Sequence, residues 1–158
     1  MFRSFAAMVV LLLLACCGYS VRALLPPHLK TIVVLPVENQ TMKPSLEVQL
    51  TSQLVDGFRR DGSLRISDLE HANVSLRCQI TGYDKVAQAY TSGQTVNAWV
   101  VSLTARCECQ DQVKSAKLWE GAVSTSVTID ATKTEEAGID EALQKLTAEI
   151  VRRTLIAW

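Results

Sequence analysis

The sequence predicts a two-layer α/β sandwich of the α+β kind. A mostly antiparallel sheet carries two helices on one face, in the order β-α-β-β-β-β-α. Three observations carry this. Two segments, 44–60 and the stretch after Thr134, repeat large aliphatic residues every three to four positions, the period of a helix with one buried stripe. Between them, three long segments alternate apolar and polar residues, the period of a strand with one buried face. These three follow one another in succession, which reads as an antiparallel meander.

The first strand is the aliphatic run Thr31-Ile32-Val33-Val34-Leu35-Pro36-Val37, expected to be buried on both faces or at a sheet centre. Pro36 has no amide to donate, so that end belongs at an edge or a bulge. Glu38 to Lys43 reads as a polar turn. Pro44 suits a first helical position, where its missing amide is not needed. Leu46, Leu50, Leu54 and Phe58 form one stripe, and Gly62 stops the helix after Arg59, Arg60 and Asp61. The predicted helix covers 44–60.

Leu64-Arg65-Ile66 reads as a short strand and 68–73 as a turn. In 74–81, Val74, Leu76, Cys78 and Ile80 share a face. Residues 84–95 are expected to form a long loop. From Val96 a second long strand puts Trp99, Val101, Leu103, Ala105, Cys107 and Cys109 on one face. The chain turns between Asp111 and Lys117, and a third strand buries Trp119, Val123, Val127 and Ile129. The last helix starts at Thr134, with Glu135 and Glu136 near the positive end of its dipole and Arg152 and Arg153 in its last turn. Ile139, Ala142, Leu143, Leu146, Ile150 and Val151 make its buried stripe.

The opposite sheet face carries Ser75, Gln79, Thr81, Ser102, Thr104, Ser124, Ser126 and Thr128, with Arg77, Arg106, Glu108 and Glu120 as its charges. Such a face is either simply wet or a neutral hydrogen-bonding surface that docks on something polar.

The N-terminus has a different logic. Arg3 precedes an uncharged run from Phe5 to Leu14, the layout of a secretory signal and too short for a spanning helix. The run ends Leu13-Leu14-Ala15-Cys16, which resembles a bacterial lipobox: the cysteine sulfur takes a diacylglycerol and cleavage falls before it. Ala15 supplies the small residue, so Cys16 is the expected attachment site. Its neighbour Cys17 would leave a cysteine at the cleavage position, a poorer fit. The plainer alternative is an ordinary secretory signal with two incidental cysteines. The chain thus divides into a signal peptide at 1–15, a lipidated tether at 16–30 stiffened by Pro26-Pro27, and one domain at 31–158.

Lysine plus arginine number 16 and aspartate plus glutamate 16, which gives no electrostatic case for a nucleic acid partner. No catalytic constellation, phosphate loop, metal set or cofactor motif is expected, so the chain reads as a binding protein and not an enzyme. His28 and His71 are expected to be solvated. Asn39-Gln40-Thr41 and Asn73-Val74-Ser75 match the glycosylation pattern but are expected to act in turns. Cys78 lies on the same inward face as Cys107 and Cys109, so a cross-strand disulfide to either is within reach, with buried free thiols as the alternative. Lys114 and Lys117 share a turn with Arg106 at its approach, a small basic tip suited to an anionic phosphate, or else a solvated hairpin.

Cys17-Gly18-Tyr19, Leu29-Lys30-Thr31-Ile32, Pro36-Val37-Glu38-Asn39-Gln40-Thr41, Leu46-Glu47, Leu50-Thr51, Ala72-Asn73, Ile80, Tyr83 and Leu118-Trp119, in that order and spacing, resemble the lipopolysaccharide-assembly lipoprotein family (LptE-like). The resemblance implies an outer-membrane lipoprotein, lipid-anchored, palmitate-bearing and facing the periplasm. It would sit inside the β-barrel of its partner, the lipopolysaccharide transporter LptD, helping that barrel assemble and insert lipopolysaccharide in the outer leaflet. The Ser/Thr face, with Ser102, Thr104, Ser124 and Ser126 at its centre, is the expected docking surface, because barrel lumens are polar. Lys114, Lys117 and Arg106 are the expected lipopolysaccharide contacts by location alone. Val34-Leu35-Pro36-Val37-Glu38-Asn39 also looks like the opening strand of lipoproteins that regulate cell-wall synthases, or of curli-secretion pore proteins. The meander after Asn73 argues against that alternative.

Overall fold

The computed structural model describes residues 26–90 and 96–157. The expected signal peptide at 1–15 and the expected attachment site Cys16, with its neighbour Cys17, lie outside the described residues. A six-stranded sheet has the order β3-β1-β4-β5-β6, with β2 also paired to β4. The strands are β1 (Thr31–Val34), β2 (Glu38–Asn39), β3 (Arg65–Ile66), β4 (Val74–Tyr90), β5 (Val96–Asp111) and β6 (Ala116–Asp130). Helix α1 (Leu46–Asp61) joins β2 to β3, and α2 (Glu135–Ile156) closes the chain. Both helices cover the same sheet face, as the buried stripes require.

The sheet is mixed. β1 pairs parallel with β3 and β4, and β2 parallel with β4, while the long β4-β5-β6 ladder is antiparallel. The expected strand 31–37 ends at Val34, and pairing with β4 resumes beyond Pro36 at β2. The amides of Leu35 and Gln40 reach the Leu76 and Ile80 carbonyls of β4, and Pro36 stands in the gap, where no amide can be given to the ladder. The expected turn 38–43 therefore opens with the two residues of β2.

Helix α1 begins two residues later than expected. Ser45 has φ 69°, so Pro44 lies before the helix, and Leu46 becomes its first residue. Gly62 at φ 71° ends it with its amide on the Phe58 carbonyl, a left-handed closure that glycine adopts without strain. The Thr134 hydroxyl caps α2 by accepting from the Ala137 amide at 3.3 Å. Gly138 lets α2 press on β6, since a Cβ there would sit 2.7 Å from Ile129 Cδ1.

The largest departure is in β4, which runs to Tyr90 where a loop from Asp84 was expected. A bulge between Ile80 and Gly82 leaves Thr81 unpaired and shifts the parity. Val74, Leu76, Cys78 and Ile80 face inward before it; Tyr83, Lys85 and Ala87, opposite Leu103, Val101 and Trp99, take that face after it. An inward lysine needs a partner. Glu135, in the first turn of α2, supplies it: Lys85 Nζ donates to Oε2 at 2.7 Å. Lys43 Nζ at 2.6 Å and the Tyr83 hydroxyl at 2.8 Å donate to Oε1. Lys85 Nζ also lies 4.7 Å from the Trp99 ring centroid, a cation–π contact. One carboxylate thus ties the α1 approach, β4 and α2 together.

Hydrogen bonds from Lys43, Lys85 and Tyr83 hold the Glu135 carboxyl at about 2, against an ordinary 4.5. A carboxylate depressed on folding stabilises the fold above its unfolded value and loses that contribution as pH falls through the folded one. Melting temperature should therefore drop between pH 4.5 and about 2, and the Glu135→Gln variant, less stable at neutral pH, should show a flatter acid limb. Leu103, fully buried, sets the second test. Leu103→Ala should cost about 2–5 kcal/mol in denaturant melts, and Ser126→Ala, exposed on the opposite face, far less; equal losses would refute the facing assignment.

Candidate functional site: the open face of the sheet

The face of β4-β5-β6 turned away from the helices is built in rows set by strand register. Asp84, Ser102 and Ser126 form one row, and Gly82, Thr104 and Ser124 the next. Ser124 and Ser126 are exposed, Ser102 and Thr104 half-buried. Thr104 Oγ1 and Ser124 Oγ bond each other at 3.0 Å, and the Thr128 hydroxyl donates to Gln88 Oε1 at 3.0 Å. The four residues expected to dock a barrel are thus adjacent on two strands and carry no charge.

Toward the β5–β6 turn the face becomes charged. Gln79 and Arg106 pair across the strands with Ala122, and Arg77 and Glu108 with Glu120. Arg106 Nη2 donates to Glu120 Oε1 at 2.9 Å. Lys117 Nζ reaches Glu120 Oε2 at 2.5 Å and Glu108 Oε1 at 3.6 Å. Lys117 and Arg106 hold the Glu120 carboxyl below its ordinary value, and Glu120 raises the Lys117 ammonium. The structure thus brings Arg106 and Lys117 together on one shared carboxylate, Glu120. Lys114 stands apart: it is exposed in the turn and forms no ion pair among the described residues.

The turn beyond is anchored by Asp111, which sequence reading missed. It continues the inward parity of Leu103, Ala105, Cys107 and Cys109, and it is buried. Its Oδ1 accepts from the amides of Val113 and Lys114, and its Oδ2 lies 2.8 Å from His28 Nε2. Burial works against the charged carboxylate, yet the hydrogen bonds from His28 and the two amides hold it below the ordinary range. His28 is therefore not a solvated histidine: its side chain is 26% exposed and fastens the incoming chain to β5. His71 is exposed and pairs with Asp68 at 2.7 Å. Asn73 Oδ1 accepts from the Lys30 and Thr31 amides and the Thr31 hydroxyl. Asn39 binds the Lys43 carbonyl, Glu47 and Thr41. Both asparagines organise turns.

On the inner face Cys78 and Cys107 occupy directly opposed positions and are joined as a disulfide, while Cys109, opposite Leu76, is a buried free thiol. Burial, reinforced by the Asp111 carboxylate, pushes the Cys109 thiol up to about 12. Away from the sheet face, a groove of about 750 Å³ runs between the helices, bordered by Gly57, Thr147, Val151 and Leu155. Thr147 Oγ1 lies there, buried and without a hydrogen-bond partner. Among the described residues no group of histidine, cysteine and carboxylate side chains could hold a metal ion.

Fold and face together define a class: a small open-faced α/β sandwich, one sheet surface packed by two helices and the other presented. Residues 29–154 match the lipopolysaccharide-assembly family (LptE), and the chain belongs to it. The match begins where the chain enters the core, since Leu29 is already buried. A Chlamydia trachomatis protein shares the fold at TM-score 0.63 and 13% identity, over 80% of this chain and 96% of its own. A minor lipoprotein of Acinetobacter baumannii does so at 0.51 and 15%, over 79% and 92%. The PelC dodecamer protein of Paraburkholderia phytofirmans gives 0.51 and 17%, over 78% and 89%. No curated protein matches the chain in sequence.

Thiol labelling checks the cysteine assignment. In the folded oxidised protein neither Cys78 nor Cys107 should alkylate, and Cys109 should react only on unfolding; peptide mapping should recover Cys78 linked to Cys107. The loop it closes spans 29 residues. Reduction should cost about 3–4 kcal/mol on the chain-entropy estimate.

Proposed function

We propose that this chain is an outer-membrane lipoprotein, anchored through Cys16 and facing the periplasm, that assists assembly of an LptD-type β-barrel and plugs it. It thereby supports lipopolysaccharide transport to the outer leaflet. It acts by binding and catalyses no reaction. Membership of the lipopolysaccharide-assembly family supports the pathway. The observation that carries the mode of action is the open sheet face, whose centre is an uncharged field of Ser102, Thr104, Ser124 and Ser126 in strand register, bordered on β4 by the exposed Asp84. Such a field can exchange water for the polar lining of a barrel lumen without stripping a charge of its hydration.

The tip adds a phosphate-reading element. Lys114 is its available cation, because Arg106 and Lys117 are engaged with Glu120. Lipopolysaccharide phosphates suit such a point charge.

Co-purification with the barrel protein tests the reading. Ser124→Arg combined with Ser126→Glu should lower recovery roughly tenfold or more, since two bulky charged side chains would have to lose their hydration in the contact that the serines fill. Thermal melts of the same variant should show an intact fold. Lys114→Glu should leave the barrel complex intact and weaken lipopolysaccharide binding. Full association of the double variant would place the docking surface elsewhere.

A further inference from the structure

We propose that the free edge of β6 takes an added strand: an extended, uncharged segment of the barrel partner pairs main chain to main chain with Ser124, Ser126 and Thr128. The inference rests on the barrel partnership proposed above and deepens it. To the side-chain contact of the open face it adds a ladder of backbone hydrogen bonds.

The strand order ends at β6 on one side and at the two-residue β3 on the other. β6 is 15 residues long and pairs only with β5 among the described residues. Two hydrogen bonds tell which of its backbone groups face outward. The Ala131 amide, just past the strand, donates to the Asn97 carbonyl of β5 at 3.0 Å, so residue 131 points its amide at β5. That direction alternates along an antiparallel strand, and the register with β5 is unbroken from Asp130 back to Trp119. Val123, Thr125, Val127 and Ile129 therefore turn their amides and carbonyls to β5, while Ala122, Ser124, Ser126 and Thr128 turn theirs away from it. Arg153 agrees: its Nη1 reaches from α2 to the outward Ala122 carbonyl at 3.1 Å.

Native proteins guard a long edge with lysine, charge, proline, a bulge or a covering group. The guards of β6 stand at its start: Lys117, the bulge at Leu118, Glu120, and Arg153 over Ala122. From Val123 to Ile129 the strand has no charge, no proline and no bulge, only valine, serine, threonine and isoleucine. The outward amides and carbonyls of Ser124, Ser126 and Thr128 have no partner among the described residues. Such a row is a template for strand addition, in which main-chain bonds give the grip and alternate side chains the choice of partner. Those side chains are exposed on the open face and continue the uncharged field at Ser102 and Thr104, so edge and proposed docking face form one surface. That continuity names the occupant. A closed barrel wall has no unpaired strand to give, so the added strand is a segment of the partner outside that wall. Small polar residues suit its outer face, as cross-strand neighbours of serine and threonine.

The test is residue-resolved hydrogen exchange on the full chain, alone and co-purified with the barrel protein. Alone, the amides of Ser124, Ser126 and Thr128 should exchange as open groups, and those of Thr125, Val127 and Ile129 slowly. In the complex the first three should slow at least tenfold. Proline supplies the second arm, because at an outward position it removes no bond to β5. Ser126→Pro should melt close to wild type and lower recovery with the barrel at least tenfold relative to Ser126→Ala, which keeps the amide. A complex in which the three amides stay as open as in the free chain would overturn the added strand and leave the barrel reading standing. Absence of any complex from the wild-type chain would overturn both. Protection that appears in the isolated chain and rises with its concentration would assign the edge to a second copy and overturn the proposed occupant.

Discussion

The fold depends on one-sided burial of the β4-β5-β6 ladder. Every inward position from Val74 to Ile80 and from Val101 to Asp111 is buried, and the two helices supply the cover. Two amphipathic stripes can cover one face of a sheet this wide, and the described residues hold no third helix for the other. The open face therefore follows from the element count. What remains for the sequence to decide is what that face carries.

The same constraint explains the polar hub at Glu135. The bulge at Thr81 lets β4 continue past Ile80 with its parity changed, which turns Lys85 inward beside Trp99. A lone ammonium there would oppose folding. Glu135 answers it and also takes Lys43 and the Tyr83 hydroxyl, so one ionised group fixes the start of α2 over the hairpin. Surface ion pairs contribute little by themselves. This one has three donors on one carboxylate, and their hydrogen bonds carry its acidity far down against the opposing effect of burial.

Legibility in the sequence followed periodicity. The stripes Leu46–Phe58 and Ile139–Val151, and the inward sets of β5 and β6, keep their period along the element and were read without the structure. β4 beyond Ile80 was not, because one unpaired residue moves the side chains after it to the other face and leaves Asp84 and Gln88 where the earlier alternation calls for apolar residues. The parallel partners β1, β2 and β3 are too short to announce direction. The choice of Cys107 over Cys109 needed register, and Asp111 with His28 needed two positions 83 residues apart to be neighbours. At the site, the Ser/Thr rows were legible from alternation. The acids that engage Arg106 and Lys117 were visible as residues, but their pairing was not.

That pairing bears on how the face can be used. A charged band beside a docking surface would normally resist burial, because each ion must lose its water. Here Glu120 already holds Arg106 and Lys117, and Glu108 lies 3.6 Å from Lys117 Nζ and directly across from Arg77. A partner that covers the band removes water from groups that keep their counter-ions. Three cations, Arg77, Arg106 and Lys117, meet three carboxylates, Glu38, Glu108 and Glu120, so the band is balanced in charge. On the proposed docking, the uncharged side chains of Ser102, Thr104, Ser124 and Ser126 would set the shape of the contact and the band its direction: a surface that ran the other way would lay its own polar wall against the wrong end of the strands.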